Sequence, residues 1–375
     1  MSEYVLFTLS SAVSLVVNVW GRLLGRPAVE RILIVKLDHI GDVVLATPVL
    51  RALRERLPDA RIDVLLLPET APLLEGHPCV DHVLTYRSPR YARSSGTAEG
   101  MRRLREIAAT RYTTIVELRG DGPTLLLPFW TGARRRVDRG TLRLFRRLGL
   151  RSSGRHELET NLEIVRPLTG TIPAPPVEMR ARPAAQASMQ RKLEERGIDI
   201  DRPFVVIHPG AAWKPKTWPP ERFGAVADWI LGHYDARVLL VGGPSEREIE
   251  DAVARSITRN GAQKLAGVLS LEELMALLQR TALFIGNDSG PAHMAAAVGV
   301  ATIVLFGPSD PSRFAPRSER TFVLHHPGAC VPCGPAACIR PEDPCLNRNE
   351  VADVIARARE VLGAPGDAHG ELATG

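Results

Sequence analysis

Residues 281 to 314, TALFIGNDSGPAHMAAAVGVATIVLFGPSDPSRF, constrain this chain more than any other stretch. An apolar run, Leu283-Phe284-Ile285, stops at Gly286. A short polar elbow follows, Pro291 opens an Ala-rich helical segment, and Val300 to Phe306 has the texture of a second buried strand. Strand, turn, helix and strand in so short a span imply parallel pairing in an α/β sheet. The turn is rich in Gly, Ser and Asp. A helix N-terminus offers unpaired backbone N–H groups and a partial positive charge, so this turn suits a phosphate. The second strand ends in another tight polar turn, Gly307-Pro308-Ser309-Asp310, at the sheet edge where open α/β folds bind ligands. The expected ligand is a nucleotide diphosphate.

The same alternation recurs along the chain. Arg31 to Val35 reads as a strand, Lys36 to Asp42 as its turn, and Val43 to Leu57 as an amphipathic helix. Further strands are expected at Ile62 to Leu67, His82 to Leu84 and Thr114 to Leu118. The stretch from Pro167 to Pro183 carries five prolines and reads as an interdomain linker. A second series then begins, with a helix near Ala185 to Arg196 and a strand at Phe204 to His208. A helix from Pro220 to Leu231, a strand at Val238 to Gly242 and a helix near 246 to 258 follow. Val351 to Leu362 is the last amphipathic helix. A chain of 375 residues usually makes two domains. The expected organisation is an N-terminal apolar segment (1–27), a first α/β domain (28–175), a second (185–348), a closing helix (349–363) and a disordered tail (364–375). The two α/β halves would flank a cleft.

Net charge is +6, which suggests an anionic partner. It is unevenly spread: seventeen arginines against five acidic residues lie between Arg87 and Arg155, including Arg134-Arg135-Arg136 and Arg146-Arg147. No aromatic interleaving, zinc finger or helix-turn-helix cue accompanies them, which speaks against nucleic acid. A solvated basic face and an anionic glycolipid or membrane surface are the two remaining readings. At the N-terminus, Tyr4 to Gly21 carries no charge, with Leu6, Leu9, Val13, Val16, Val17 and Trp20 at helical spacing. It lacks the basic start and small-residue cleavage site of a secretory signal. An interfacial helix and a helix packed on the protein's own surface are both open. The location expected is cytoplasmic, with peripheral association at the inner membrane as an option.

Three turns carry the chemistry. Asp42 follows a Gly in the first turn of a helix, where a carboxylate is stabilised and, shielded from water, can accept a proton. The segment His208-Pro-Gly-Ala-Ala-Trp-Lys-Pro-Lys-Thr-Trp-Pro-Pro220 follows a buried strand and includes Gly210. It places Lys216 just before a helix, within reach of a phosphate. In Gly286-Asn-Asp-Ser-Gly-Pro-Ala-His293, Asp288, Ser289 and Gly290 form a candidate pyrophosphate cradle. His293 is either a ligand or a helix-packing residue.

Taken together, RILIVKLDHIGDVVLATPVLRAL, VVIHPGAAWKPKTWPPERFGAVADWI, VLLVGGPSE and FIGNDSGPAHMAAAVGVATIVLFGPSDPSRFAP resemble glycosyltransferase family 9, the lipopolysaccharide heptosyltransferase group. The resemblance spans roughly residues 31 to 362. It implies a GT-B fold, two Rossmann-like doubly wound domains facing a central cleft. It also implies inverting, metal-independent sugar transfer from a nucleotide-sugar donor, of the ADP-heptose type, to a lipopolysaccharide core or related surface glycan. By motif, Asp42 would be the general base, Lys216 would bind donor phosphates and Asp288 would contact the donor sugar. Ser289 and Gly290 would present the helix N-terminus to the leaving diphosphate. One departure is Leu37-Asp38-His39-Ile40, where the family's first loop tends to be Ser-rich. That loop bears on sugar identity.

Four of the five cysteines cluster as Cys330, Cys333, Cys338 and Cys345. Their spacing is compatible with a structural metal, a disulfide or free thiols. Catalysis itself needs no cofactor on this reading. The rival functions are a GT-B-fold nucleotide-sugar epimerase and a non-catalytic nucleotide- or glycolipid-binding scaffold. A hydride-transfer enzyme is disfavoured, because no G-x-G-x-x-G follows the first strand.

Overall fold

A computed structural model describes residues 3–25, 29–87, 97–119, 122–142, 156–328, 330 and 338–363. The expected tail at 364–375, Cys333 and the arginines between 143 and 155 lie outside these residues. The chain forms two compact units, Met1–Pro176 and Val177–Gly375.

The first unit runs α1 (Glu3–Leu24), β1 (Arg31–Lys36), α2 (Ile40–Val44), α3 (Thr47–Arg56), β2 (Arg61–Leu66), β3 (His82–Thr85), α4 (Thr97–Ala108), β4 (Thr114–Arg119), α5 (Leu127–Thr131), β5 (Arg135–Asp138) and α6 (Glu157–Thr169). Its five strands are all parallel, in the order β3-β2-β1-β4-β5. The helix expected at Val43 to Leu57 is two helices. The first begins earlier, at Ile40, and a turn at Leu45-Ala46 precedes α3, whose first turn contains Pro48. Pro has a fixed φ and no N–H, so it starts a helix more readily than it continues one.

Strand β5 was hidden by its charge. Arg136 is not part of a solvated basic face: its side chain is fully buried, within 3.4 Å of Asp138 and 3.5 Å of Glu117. Helix α1 supplies the remaining partners. Ser10 Oγ donates to Asp138 Oδ1 at 2.8 Å, and Arg136 Nη1 donates to Ser14 Oγ at 2.7 Å. Asn18 bonds both backbone groups of Arg136, donating to its carbonyl and accepting from its N–H at 2.8 Å each. The edge of the sheet is thereby closed by a helix side chain. Gly21 lies where a β-carbon would be 1.7 Å from the Arg134 carbonyl oxygen, so only glycine allows this approach.

The second unit runs α7 (Pro183–Glu194), β6 (Phe204–His208), α8 (Pro220–His233), β7 (Arg237–Leu240), α9 (Arg247–Ser256), β8 (Ala262–Lys264), α10 (Leu271–Leu278), β9 (Leu283–Asn287), α11 (Gly290–Ala297), β10 (Thr302–Phe306), α12 (Pro311–Phe314), β11 (Thr321–His325) and α13 (Val351–Leu362). The sheet is parallel, in the order β11-β10-β9-β6-β7-β8. Strands β6, β9 and β10 are buried at every residue, which explains their continuous apolar runs. Val205, Ile207, Phe223, Ile230, Ile285 and Ile303 form their core, and α13 joins it through Val354 and Ala358.

Both sheets are Rossmann-like and doubly wound. Strand order reverses between β1 and β4 in the first and between β6 and β9 in the second. Ligands of such sheets bind at the carboxyl ends of the strands flanking that reversal. All three chemically marked turns follow β1, β6 or β9.

Candidate active site

In the first unit, β1 ends in a buried cation. Lys36 is 1 % exposed, with Nζ 3.4 Å from Asp38 Oδ2 and 3.5 Å from Glu157 Oε1. Arg119, at the end of β4, lies 3.4 Å from the same Asp38 oxygen. Arg139 grips Glu157 through both terminal nitrogens and Asn161 Oδ1 at 3.0 Å. Asn161 in turn donates to the Leu45 carbonyl at 3.3 Å, fixing α6 against the turn that follows α2. Asp42 sits in the first turn of α2.

Three carboxylates and three cations share this corner, and they do not titrate alike. Burial pushes the Asp42 carboxyl up to about 6; Asp38 and Glu157 add to the rise, while Lys36 and Arg119 oppose it. Burial also works against charge on Glu157, but Lys36 and Arg139 outweigh it and hold that carboxyl down at about 2. Asp38 is likewise held below its ordinary range, because Lys36, Arg119 and the His39 amide overcome its burial. Two carboxylates therefore stay ionised while the third titrates close to neutrality. Such a separation marks a group able to take and release a proton.

The second unit has a different corner. Asn287, fully buried at the end of β9, accepts from the Trp218 N–H at 3.2 Å and donates to the carbonyls of Pro209 and Gly210 at 2.8 and 3.3 Å. One side chain thus staples the lysine-bearing loop to the β9 elbow. Lys216 Nζ then lies 2.6 Å from Asp288 Oδ2 and 4.8 Å from the Trp213 ring centre. Ser309, in the turn after β10, donates to the same Asp288 oxygen at 2.5 Å. Trp218 is fully buried and donates from Nε1 to the Asn349 carbonyl at 3.0 Å.

Ser289 is the N-cap of α11, yet its side chain does not cap the helix. Its hydroxyl lies 3.1 Å from His208 Nδ1, and His208 Nε2 lies 3.2 Å from Glu246 Oε2. Glu246 also accepts from the Gly243 N–H at 2.7 Å; its carboxyl is held below the ordinary range because His208 and that amide outweigh burial. A β-carbon at Gly210 would lie 1.8 Å from Glu246 Oε1, so a larger residue there displaces the Glu246 side chain. The first-turn amides of α11 have no side-chain cap, which is the geometry of an anion seat.

The model for Glycosyltransferase family 9 (heptosyltransferase) matches residues 105–342. The chain belongs to glycosyltransferase family 9. This family 9 glycosyltransferase is 30% identical over 279 residues to Lipopolysaccharide heptosyltransferase 3 of Escherichia coli, covering 72% of this chain and 81% of that one. It is 25% identical over 307 residues to Lipooligosaccharide heptosyltransferase 2 of Haemophilus influenzae, covering 78% and 88%. Among solved structures, a family 9 glycosyl transferase from Veillonella parvula superposes with a TM-score of 0.74 at 22% identity, covering 88% of this chain and 97% of that one. E. coli ADP-heptose lps heptosyltransferase II gives 0.69 at 20% identity, with 88% and 98% covered. These likenesses show the fold to be GT-B, two Rossmann-like units.

Of the residues singled out from this transferase's sequence, Lys216, Asp288, Ser289 and Gly290 meet at one elbow, with Gly210 behind it. Asp42 belongs to the corner of the first unit. His293 is buried in α11, 6 % exposed. Sequence reasoning passed over Lys36, Glu157, His208, Glu246 and Asn287. His208 and Lys36 carried one usable signal, a titratable residue ending a buried strand. Asp199-Ile-Asp201 is turn chemistry, with the Asp201 N–H donating to Asp199 Oδ1 at 2.9 Å. Of the four clustered thiols, for which a structural metal, a disulfide and free thiols were all open, Cys333 lies outside the described residues. Among the described residues no three His, Cys, Asp or Glu side chains are gathered for a metal, and Cys330, Cys338 and Cys345 form no disulfide.

Proposed function

We propose that this family 9 glycosyltransferase moves a heptose from an ADP-heptose-type donor onto a lipopolysaccharide core or a related bacterial surface glycan, with inversion and without a catalytic metal. The observation that carries this reading is the division of labour between the two switch points. One holds a carboxylate near neutrality, and the other holds a lysine, hydroxyls and an uncapped helix N-terminus. The names of the relatives, lipopolysaccharide and lipooligosaccharide heptosyltransferases, support the substrate class.

Asp42 takes the proton of the acceptor hydroxyl as its oxygen attacks the anomeric carbon. The bond from that carbon to the donor phosphate oxygen breaks, and the nucleoside diphosphate leaves with the electron pair. Lys216 and the first-turn amides of α11 meet the charge that develops, with Ser289 and Gly290 forming the rim of the seat. Neutralisation by Lys216 and the helix leaves no role that a metal must fill. Asp288 orients Lys216 and faces the donor sugar. Gly210 admits Glu246, and His293 packs α11. The acceptor is an anionic glycolipid, and the reaction runs in the cytoplasm at the inner-membrane surface.

The test is turnover of ADP-heptose and other nucleotide sugars with truncated lipopolysaccharide cores, read as released nucleoside diphosphate. Acceptor-dependent release, lost in Asp42→Asn, is expected. Isomerised donor without acceptor, or binding without release, overturns the proposal.

A further inference from the structure

Helix α1 is amphipathic in the inverted sense. Its small and polar residues, Ser10, Ser14, Asn18 and Gly21, share one narrow face with Val17, and that face is buried against β5. The opposite face, about half the circumference at 3.6 residues per turn, is apolar and exposed. It carries Leu15 (68 % exposed), Val19 (52 %), Trp20 (61 %) and Leu23 (77 %), flanked by Leu9 and Val16. Nothing in the buried face asks for this. The Arg136–Asp138 pair needs Ser10, Ser14 and Asn18, whereas a solvated outer face would be polar.

The exposed stripe has cations beside it. A cavity of about 540 Å³ opens next to the C-terminal half of α1, and Arg22, Arg134 and Arg135 line it. Its acidic members are engaged elsewhere: Asp138 is fully buried against Arg136, and Glu163 lies 3.2 Å from Arg166. An apolar stripe with arginines at its border complements a bilayer interface whose head groups are anionic. Among the described residues no helix is long and apolar enough to cross a membrane, so the helix would lie on the surface.

We infer that the outer face of α1 docks this protein on anionic phospholipid, with Arg22, Arg134 and Arg135 receiving lipid phosphate in the cavity beside it. This inference deepens the inner-membrane location proposed above, and its test, which uses no donor or acceptor, can fail independently of the transferase reading. The full-length protein is floated with vesicles of phosphatidylcholine alone or mixed with phosphatidylglycerol, at low and high salt. Binding to the mixed vesicles is expected, weakened by salt and absent from phosphatidylcholine alone. The Leu15→Glu/Leu23→Glu double variant changes only outward residues, and it should weaken binding roughly a hundredfold. Arg22→Ala should weaken it roughly fivefold. Circular dichroism confirms that each variant is folded. Failure to float with mixed vesicles, equal binding to both kinds, or unchanged binding by the double variant overturns the inference. So does light scattering that finds a wild-type dimer and a monomeric double variant, because the face then belongs to a second copy of the chain.

Discussion

The two switch points of this protein are built alike and tuned in opposite directions. Each first strand ends in a buried basic side chain held by a glutamate from a later element: Lys36 by Glu157, His208 by Glu246. Around Lys36 stand two more carboxylates, Asp38 and Asp42, and burial, with the neighbouring carboxylates adding to it, raises Asp42 above the range of an ordinary aspartate. Around His208 stand hydroxyls, amides and Lys216, and Asp288 is the only carboxylate on that lysine in the described residues. On the proposed reading, the same fold yields a proton acceptor at one site and an anion seat at the other. The difference lies in which charges a few turns present.

The sharpest way to break this comparison is to neutralise the base. Asp42→Asn should lower kcat by about 10²- to 10⁴-fold while leaving donor affinity near the wild-type value, measured by steady-state kinetics and calorimetry. Lys216→Met should do the reverse in kind. Donor affinity should fall, and kcat with it by about 10²-fold, because the developing phosphate charge loses its cation. If Lys216→Met left the donor's affinity untouched, the second corner would not be the anion seat.

Stability offers an independent check. The folded state raises Asp42 from 3.8 to about 6, so it holds that proton more tightly than the unfolded chain does. Unfolding then releases the proton, and stability falls as pH rises through that interval. Asp42→Asn should therefore unfold later than wild type in denaturant at neutral pH, by at most about 3 kcal/mol, and show no advantage below pH 3.8.

Smaller effects sharpen the picture. Glu246→Gln should raise the donor KM roughly threefold to tenfold with kcat little changed, since it loosens His208 and through it Ser289. Gly210→Ala should act in the same direction by displacing Glu246. Asp38→Asn removes one of the charges that raise Asp42, so the acid limb of kcat/KM should move to lower pH. Lys36→Met should move it to higher pH.

Most of the βα alternation was legible because strands buried on both faces are apolar through most of their length, as in Phe204 to Ile207, and because the closing helix, Val351 to Leu362, keeps its buried residues at helical spacing. Strand β5 was not legible. Its sequence, RRVD, reads as surface until Ser10 and Ser14 are brought to the Arg136–Asp138 pair, and those contacts span more than 120 residues. Asp42 and Lys216 were readable as polar residues of turns that follow buried strands. Their tuning was not, because Glu157 reaches Lys36 from 121 residues away and nothing in its neighbourhood announces the contact. Helix α1 shows the limit from the other side. Its apolar spacing was plain, but which face meets the protein depends on a charge pair buried under it.

The most direct test is the pH dependence of kcat/KM for ADP-heptose transfer to a lipopolysaccharide core, in wild type and Asp42→Asn. The account predicts a wild-type rate that climbs with pH and levels off above about 6, and a variant that is slow with no such limb. A variant as fast as wild type, with the same limb, would contradict it.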